Sequence, residues 1–140
     1  MNDLSMSDEL HIGPLQGRDP RLPRTVQGYL NNPLLQPELG FIPLATCFDY
    51  AANPQSYKPE TSWKHIVEQR FGAPALAHWR AIRNFVAASL KAKQLKRQLA
   101  IDPNELHRLK LALAYIHAHG KSKWAKELAP WRKEIENLID

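Results

Sequence analysis

The residue types that carry chemistry are few in this chain and badly spaced for it. Cys47 is the single cysteine, so no intramolecular disulfide can form. No CxxC, HExxH or Cys/His cluster supplies the ligand count a zinc site needs. His117 and His119 lie two positions apart, which on a helix turns them about 200° from each other; they are expected at the surface or rim. The adjacent acids Asp8-Glu9 form the one such pair, and Asp-Asp does not occur. These patterns predict neither a metal nor a cofactor. Lys91, Lys93, Lys96 and Arg97 form a basic cluster that would attract phosphates in a salt-dependent way. It lacks interleaved aromatics, and a helix C-terminus favours cations through its dipole in any case.

The elements that must position these residues fall into two segments of different character. Residues 1–60 carry four basic residues against seven acids, net −3, whereas residues 61–140 carry fifteen against seven, net +8. Eight of the eleven prolines lie in the first 59 residues. Each removes a backbone donor and fixes φ, so residues 1–35 cannot hold long regular helices. Beyond them the apolar spacing is helical. A helix is predicted over 62–71, with Gly72 as its stop, and a long one over about 74–99 along Trp79, Ile82, Phe85 and Val86. A third opens at Asp102-Pro103-Asn104-Glu105, where the aspartate can cap exposed amides, and runs to Gly120. A fourth spans about 121–138, kinked or divided at Pro130. Trp63, Trp79, Trp124 and Trp131 occur at core spacing and read as packing, not as carbohydrate platforms. The total of 140 residues excludes a large two-domain enzyme. No run approaches the roughly 18 apolar residues of a membrane-spanning helix. The opening MNDLSMSDEL, with three acids, does not resemble a signal peptide, so a cytoplasmic location is expected if the chain is made as written.

The first 60 residues hold apolar stretches but little regular structure. Residues 11–12 and 26–30 could be short strands, and 37–52 a helix interrupted near Pro43. One or two strands do not make a stable sheet, so this segment is expected to pack against a larger body. Its motifs are specific. Gly13-Pro14-Leu15-Gln16-Gly17-Arg18-Asp19-Pro20, Gly28-Tyr29-Leu30-Asn31-Asn32-Pro33, Ile42-Pro43-Leu44-Ala45-Thr46, Asp49-Tyr50, Asn53-Pro54, Tyr57 and Pro59-Glu60-Thr61-Ser62-Trp63 follow in order. This succession resembles the C-terminal end of the catalytic domain of glycoside hydrolase family 84. That family comprises β-N-acetylglucosaminidases and includes protein O-GlcNAcases and the bacterial enzymes called hyaluronidases. The resemblance covers about residues 2–72; residues 73–140 resemble the family's following helical domain only generically.

The resemblance implies a mainly α chain. Residues 1–72 would be the terminal β/α segment of a (β/α)8-type barrel, and 73–140 a small helical bundle. Barrel enzymes place their chemistry at the C-terminal ends of the strands. There, by resemblance, Asp3 of Asn2-Asp3 would accept hydrogen bonds from hydroxyls of a bound N-acetylglucosamine, and Asn32 would bind the same end of the sugar. A carboxylate and a carboxamide together supply acceptors and donors for vicinal hydroxyls. Asp49 and Tyr50 read as helix packing and hydrogen bonding.

The catalytic machinery the family uses is a different matter. By resemblance, the substrate's own acetamido oxygen attacks the anomeric carbon, so no carboxylate nucleophile is needed. Two adjacent aspartates orient the acetamido group and act as general acid and base, and this chain has no such pair. The resemblance also places Met1 inside the barrel. The chain is therefore expected to be a C-terminal fragment or truncated gene product, inactive alone, whose glycan or glycoprotein substrate matters only in an intact enzyme. The competing readings are a small basic helical module that binds nucleic acid, and an interaction protein that docks a partner or oligomerises through its exposed barrel-facing surface.

Overall fold

A computed structural model describes residues 10–28, 30–87 and 102–139. Among these residues six α-helices follow one another: α1 (Pro37–Ala52), α2 (Pro59–Phe71), α3 (Leu76–Ala87), α4 (Pro103–Ala118), α5 (Lys123–Glu127) and α6 (Ala129–Ile139). Short 3-10 turns occupy Leu22–Arg24 and Ala73–Ala75. The chain is mainly α, as its apolar spacing predicts. The basic cluster at 91–97 and the end of the helix predicted over 74–99 lie outside the described residues.

Local chemistry accounts for most boundaries. Pro37, Pro59 and Pro103 open α1, α2 and α4, where a missing N–H costs nothing and φ is already helical. Asp102 accepts the Asn104 amide at 3.0 Å as the predicted cap of α4. Gly72 ends α2 at φ +86°, a conformation that favours glycine. The predicted fourth helix is divided between α5 and α6, with Leu128 at the break and Pro130 in the first turn of α6. Ser122 caps α5 by accepting the Ala125 amide. In contrast to the predicted interruption, α1 runs through Pro43 unbroken.

The two predicted strands are absent among the described residues: 10–15 and 26–28 with Leu30 are irregular. Among the described residues no neighbouring strand lies beside residues 11–12, and side chains take the backbone groups instead. The Trp63 indole N–H donates to the Ile12 carbonyl at 2.7 Å. The Leu15 amide donates to Thr46 Oγ1 at 2.9 Å and the Leu15 carbonyl accepts from Tyr57 Oη at 2.8 Å. Tyr50 Oη donates to the Asp19 carbonyl at 2.7 Å. These bonds tie the irregular segment to α1, α2 and the loop between them.

One apolar cluster holds the helices together. It runs from Leu10 and Ile12 through Leu39 and Ile42 of α1, Trp63 and Val67 of α2 and Trp79 and Ile82 of α3 to Ile116 of α4 and Ile135 of α6. Residues 10–60 thus bury apolar side chains against the second half of the chain. Trp63 and Trp79 are fully buried, and Trp124 and Trp131 are buried as well, in keeping with packing roles. Phe71 stacks on Trp79 with centroids 4.3 Å apart, and Trp124 lies 5.2 Å from Trp79. Arg83 sits 4.2 Å over the Trp63 ring and donates to both carboxylate oxygens of Glu60. His117 and His119 are exposed; His117 pairs with Glu136 across α4 and α6.

Trp63 is the test of this arrangement. Trp63→Phe keeps an aromatic ring but strands the Ile12 carbonyl and leaves a void. A stability loss of roughly 2–4 kcal/mol is expected, read as a lower denaturant midpoint with an unchanged slope. A loss below about 0.5 kcal/mol, the low end for one hydrogen bond, would show that the indole bond does not anchor the segment.

Candidate functional site

Proline and glycine shape the loops that line one cleft among the described residues, and α1 contributes to it as well. The cleft has a volume of about 390 Å³. One part of its wall is Gly13, Pro14, Leu15, Gln16 and Arg18, another is the stretch from Leu30 to Leu34, and Gly40, Pro43, Leu44, Cys47 and Tyr50 of α1 complete it. Residues from four of the sequence motifs, 13–20, 28–33, 42–46 and Asp49-Tyr50, therefore line one depression.

Each wall has an identifiable support. The Leu15 wall is pinned by the bonds from Thr46 and Tyr57. Thr46 is fully buried in α1 and its hydroxyl also donates to the Pro43 carbonyl at 2.7 Å, so one side chain links α1 to the Leu15 wall. Burial pushes the Tyr57 phenol above its ordinary range, which keeps it a neutral donor to Leu15. Asp19, at the end of this wall, accepts the Arg21 amide and guanidinium, and those bonds hold its carboxyl below the usual range. The other wall rests on Leu34, which is buried while residues 30–33 and Leu35 that are described are exposed.

Asn32 lies on this cleft, exposed, beside Asn31 and Pro33. Its carboxamide can donate and accept at once, which suits a hydroxyl-bearing ligand. Asp3 lies outside the described residues. Asp49 and Tyr50 have the packing roles expected of them: Asp49 accepts the Ser62 hydroxyl at 2.5 Å across α1 and α2, and Tyr50 meets Tyr57 edge-on with centroids 5.6 Å apart. Among the described residues no group of three or more His, Cys, Asp or Glu side chains could hold a metal ion. No helix among them is long and apolar enough to cross a membrane.

Sequence reading singles out Asn32 but not the residues that share its cleft. Arg18 and Gln16 stand inside a named motif, yet nothing local says that they line the same cleft as residues 30–34. Cys47 is another such residue. Burial pushes its thiol up, and the positive charge of Arg18 offsets only part of that.

Comparison with known proteins gives the same family signal over more than half of the chain. A family model described as beta-N-acetylglucosaminidase matches residues 1–87, through the end of α3. The solved structure of an O-GlcNAc hydrolase mutant from Thermobaculum terrenum is similar to this chain with a TM-score of 0.72 at 26% identity. That similarity covers 99% of this chain and 34% of the other, so this chain spans about a third of its length. No curated protein sequence matches the chain.

The cleft geometry makes a prediction for Cys47. Its raised pKa leaves less thiolate at neutral pH, and its 8% exposure restricts access. Alkylation of the native chain should be roughly ten-fold or more slower than of the urea-unfolded chain. Equal rates would show that α1 does not bury Cys47 beside the cleft.

Proposed function

The chain belongs to the β-N-acetylglucosaminidase family, glycoside hydrolase family 84, and from that premise we propose that it is the sugar-pocket-completing portion of such an enzyme. In this reading residues 1–72 are the last segment of the catalytic barrel and residues 73–140 a helical bundle behind it. Asp3 and Asn32 contact hydroxyls of N-acetylglucosamine remote from the bond being broken. The observation that carries the reading is the exposed Asn32 carboxamide on a cleft built from the family's own motifs.

The distribution of exposed apolar side chains supports the barrel assignment. Leu30 is 100% exposed, Leu35 79% and Phe48 64%, and Val26 and Phe41 are exposed as well, whereas beyond residue 60 Leu111 is the one large exposed hydrophobe among the described residues. The remaining two thirds of a family enzyme would cover these side chains, and they would serve oligomerisation if the short chain acts alone.

The chemistry follows from what this chain has and lacks. Attack by the acetamido oxygen of the substrate requires that group to be oriented and the leaving oxygen to be protonated. The adjacent aspartates that do both are not in these 140 residues. Asn32 and Asp3 can position a sugar but cannot move its protons in the required places, so this chain by itself binds weakly and does not hydrolyse.

Two measurements test the reading. The purified chain should not cleave a chromogenic N-acetyl-β-glucosaminide above the uncatalysed rate; turnover that persists through repurification sinks the proposal. Grafted onto a family barrel that supplies the aspartates, Asn32→Ala should lower kcat/KM roughly 3- to 10-fold and Asp3→Ala roughly 10- to 150-fold, from the typical worth of neutral and charged hydrogen bonds. Both comparisons require unchanged melting temperature. Unaltered kcat/KM and inhibitor affinity in both variants would remove the sugar assignments.

A further inference from the structure

The first turn of α1 has an unusual cap. Its N-cap residue, Gln36, offers no side-chain bond, and Pro37 has no amide to satisfy. The next two amides, Glu38 and Leu39, donate instead to Glu127 Oε1 and Oε2 at 3.1 and 3.0 Å. Glu127 is the last residue of α5, nearly ninety positions away. One carboxylate therefore grips two orphan donors at the positive end of the α1 dipole.

We propose that Glu127 is a positioning residue for Asn32, acting through the first turn of α1. The intermediate links are short. The Gly40 amide closes onto the Gln36 carbonyl at 2.7 Å. A Cβ added to Gly40 would come within 3.3 Å of Leu34 Cβ and 3.5 Å of the Leu34 amide nitrogen, so Leu34 rests directly on this turn. Leu34 is the buried anchor of its segment; Asn31, Asn32 and Pro33 are exposed. Pro33 fixes its own φ and restricts Asn32, which makes the two-residue path from Leu34 to the Asn32 carboxamide stiff. Turning or fraying the first turn of α1 displaces Leu34, and Asn32 with it. Glu127 lies outside the family match over residues 1–87, so this contact gives the helices behind the cleft a part in shaping it. The proposal rests on the reading of Asn32 as a sugar contact only for its functional meaning; the coupling stands on geometry.

The test uses the full 140-residue chain and no sugar. In Glu127→Ala, hydrogen exchange at Glu38, Leu39 and Gly40 should accelerate roughly 3- to 30-fold, the range for losing a helix cap. The Asn32 side-chain amide resonances should move toward their unfolded positions. Glu127→Gln, whose single carboxamide oxygen can accept one of the two amides, should fall between. Ile135→Val, a core change of comparable expected cost in α6, should leave the Asn32 resonances in place. Overturning results are unchanged Asn32 resonances in Glu127→Ala, unchanged exchange in the first turn, or an equal Asn32 shift in Ile135→Val. A grafted enzyme indifferent to Asn32→Ala would overturn the sugar reading, and it is read separately from this exchange and resonance experiment.

Discussion

An irregular segment that lies against a core must dispose of its backbone amides and carbonyls, and this chain meets that demand with side chains. Between Leu10 and Pro20 there is no ladder and no helix to absorb the polar groups. An indole, two phenols, a threonine hydroxyl and the Gln55 amide take them up. Unpaired buried backbone groups cost about as much as a lost hydrogen bond, so the segment can lie against α1 and α2 only where those donors and acceptors stand. Its path, and the wall of the cleft it forms, follow from Thr46, Tyr50, Tyr57 and Trp63.

The same logic joins the two halves of the molecule. Residues 1–60 are acidic on balance and residues 61–140 basic, and the halves meet partly through polar links between opposite partners. Arg83 of α3 reaches Glu60 at the start of α2, Arg70 of α2 pairs with Glu38 of α1, and Glu127 holds the amides that open α1. Exposed ion pairs contribute little alone. Here they flank aromatic contacts: Arg70 also lies over Phe41 and Arg83 over Trp63, so charge and packing act on the same side chains. Deep to them the apolar cluster supplies the main cohesion.

Membership of a glycosidase family and a cleft bearing an amide side chain do not by themselves make a catalyst. Sugar hydrolysis by substrate assistance demands two protonic groups placed around one glycosidic oxygen and one acetamide. Residues 10–87 present a cleft wall held by side-chain bonds and five exposed large hydrophobic side chains, Val26, Leu30, Leu35, Phe41 and Phe48. The bonds to Leu15, Asp19 and the first turn of α1 hold the segments that line the cleft in place.

Much of this was legible in the residues taken in order. Helical periodicity placed α2, α3 and α4 in the described chain, Asp102 announced its cap, the tryptophans announced a core, and the ordered Gly/Pro/Asn motifs announced the family. These signals are local, or are kept within a few residues, so a linear reading can find them. The strands suggested near Ile12 and Val26 are absent among the described residues, where no partner strand lies beside them; Trp63, fifty-one positions on, takes the Ile12 carbonyl instead. The expected break at Pro43 failed because α1 is held on both sides of the proline, by Glu127 at its start and by buried Thr46 and Tyr50 beyond. That Arg18 and residues 30–34 line one cleft, that Leu34 lies on Gly40 and that Glu127 caps a helix nearly ninety residues earlier are facts of tertiary structure alone. Hydrogen bonds and van der Waals contacts act over a few ångströms, and only the folded path decides which distant residues come that close.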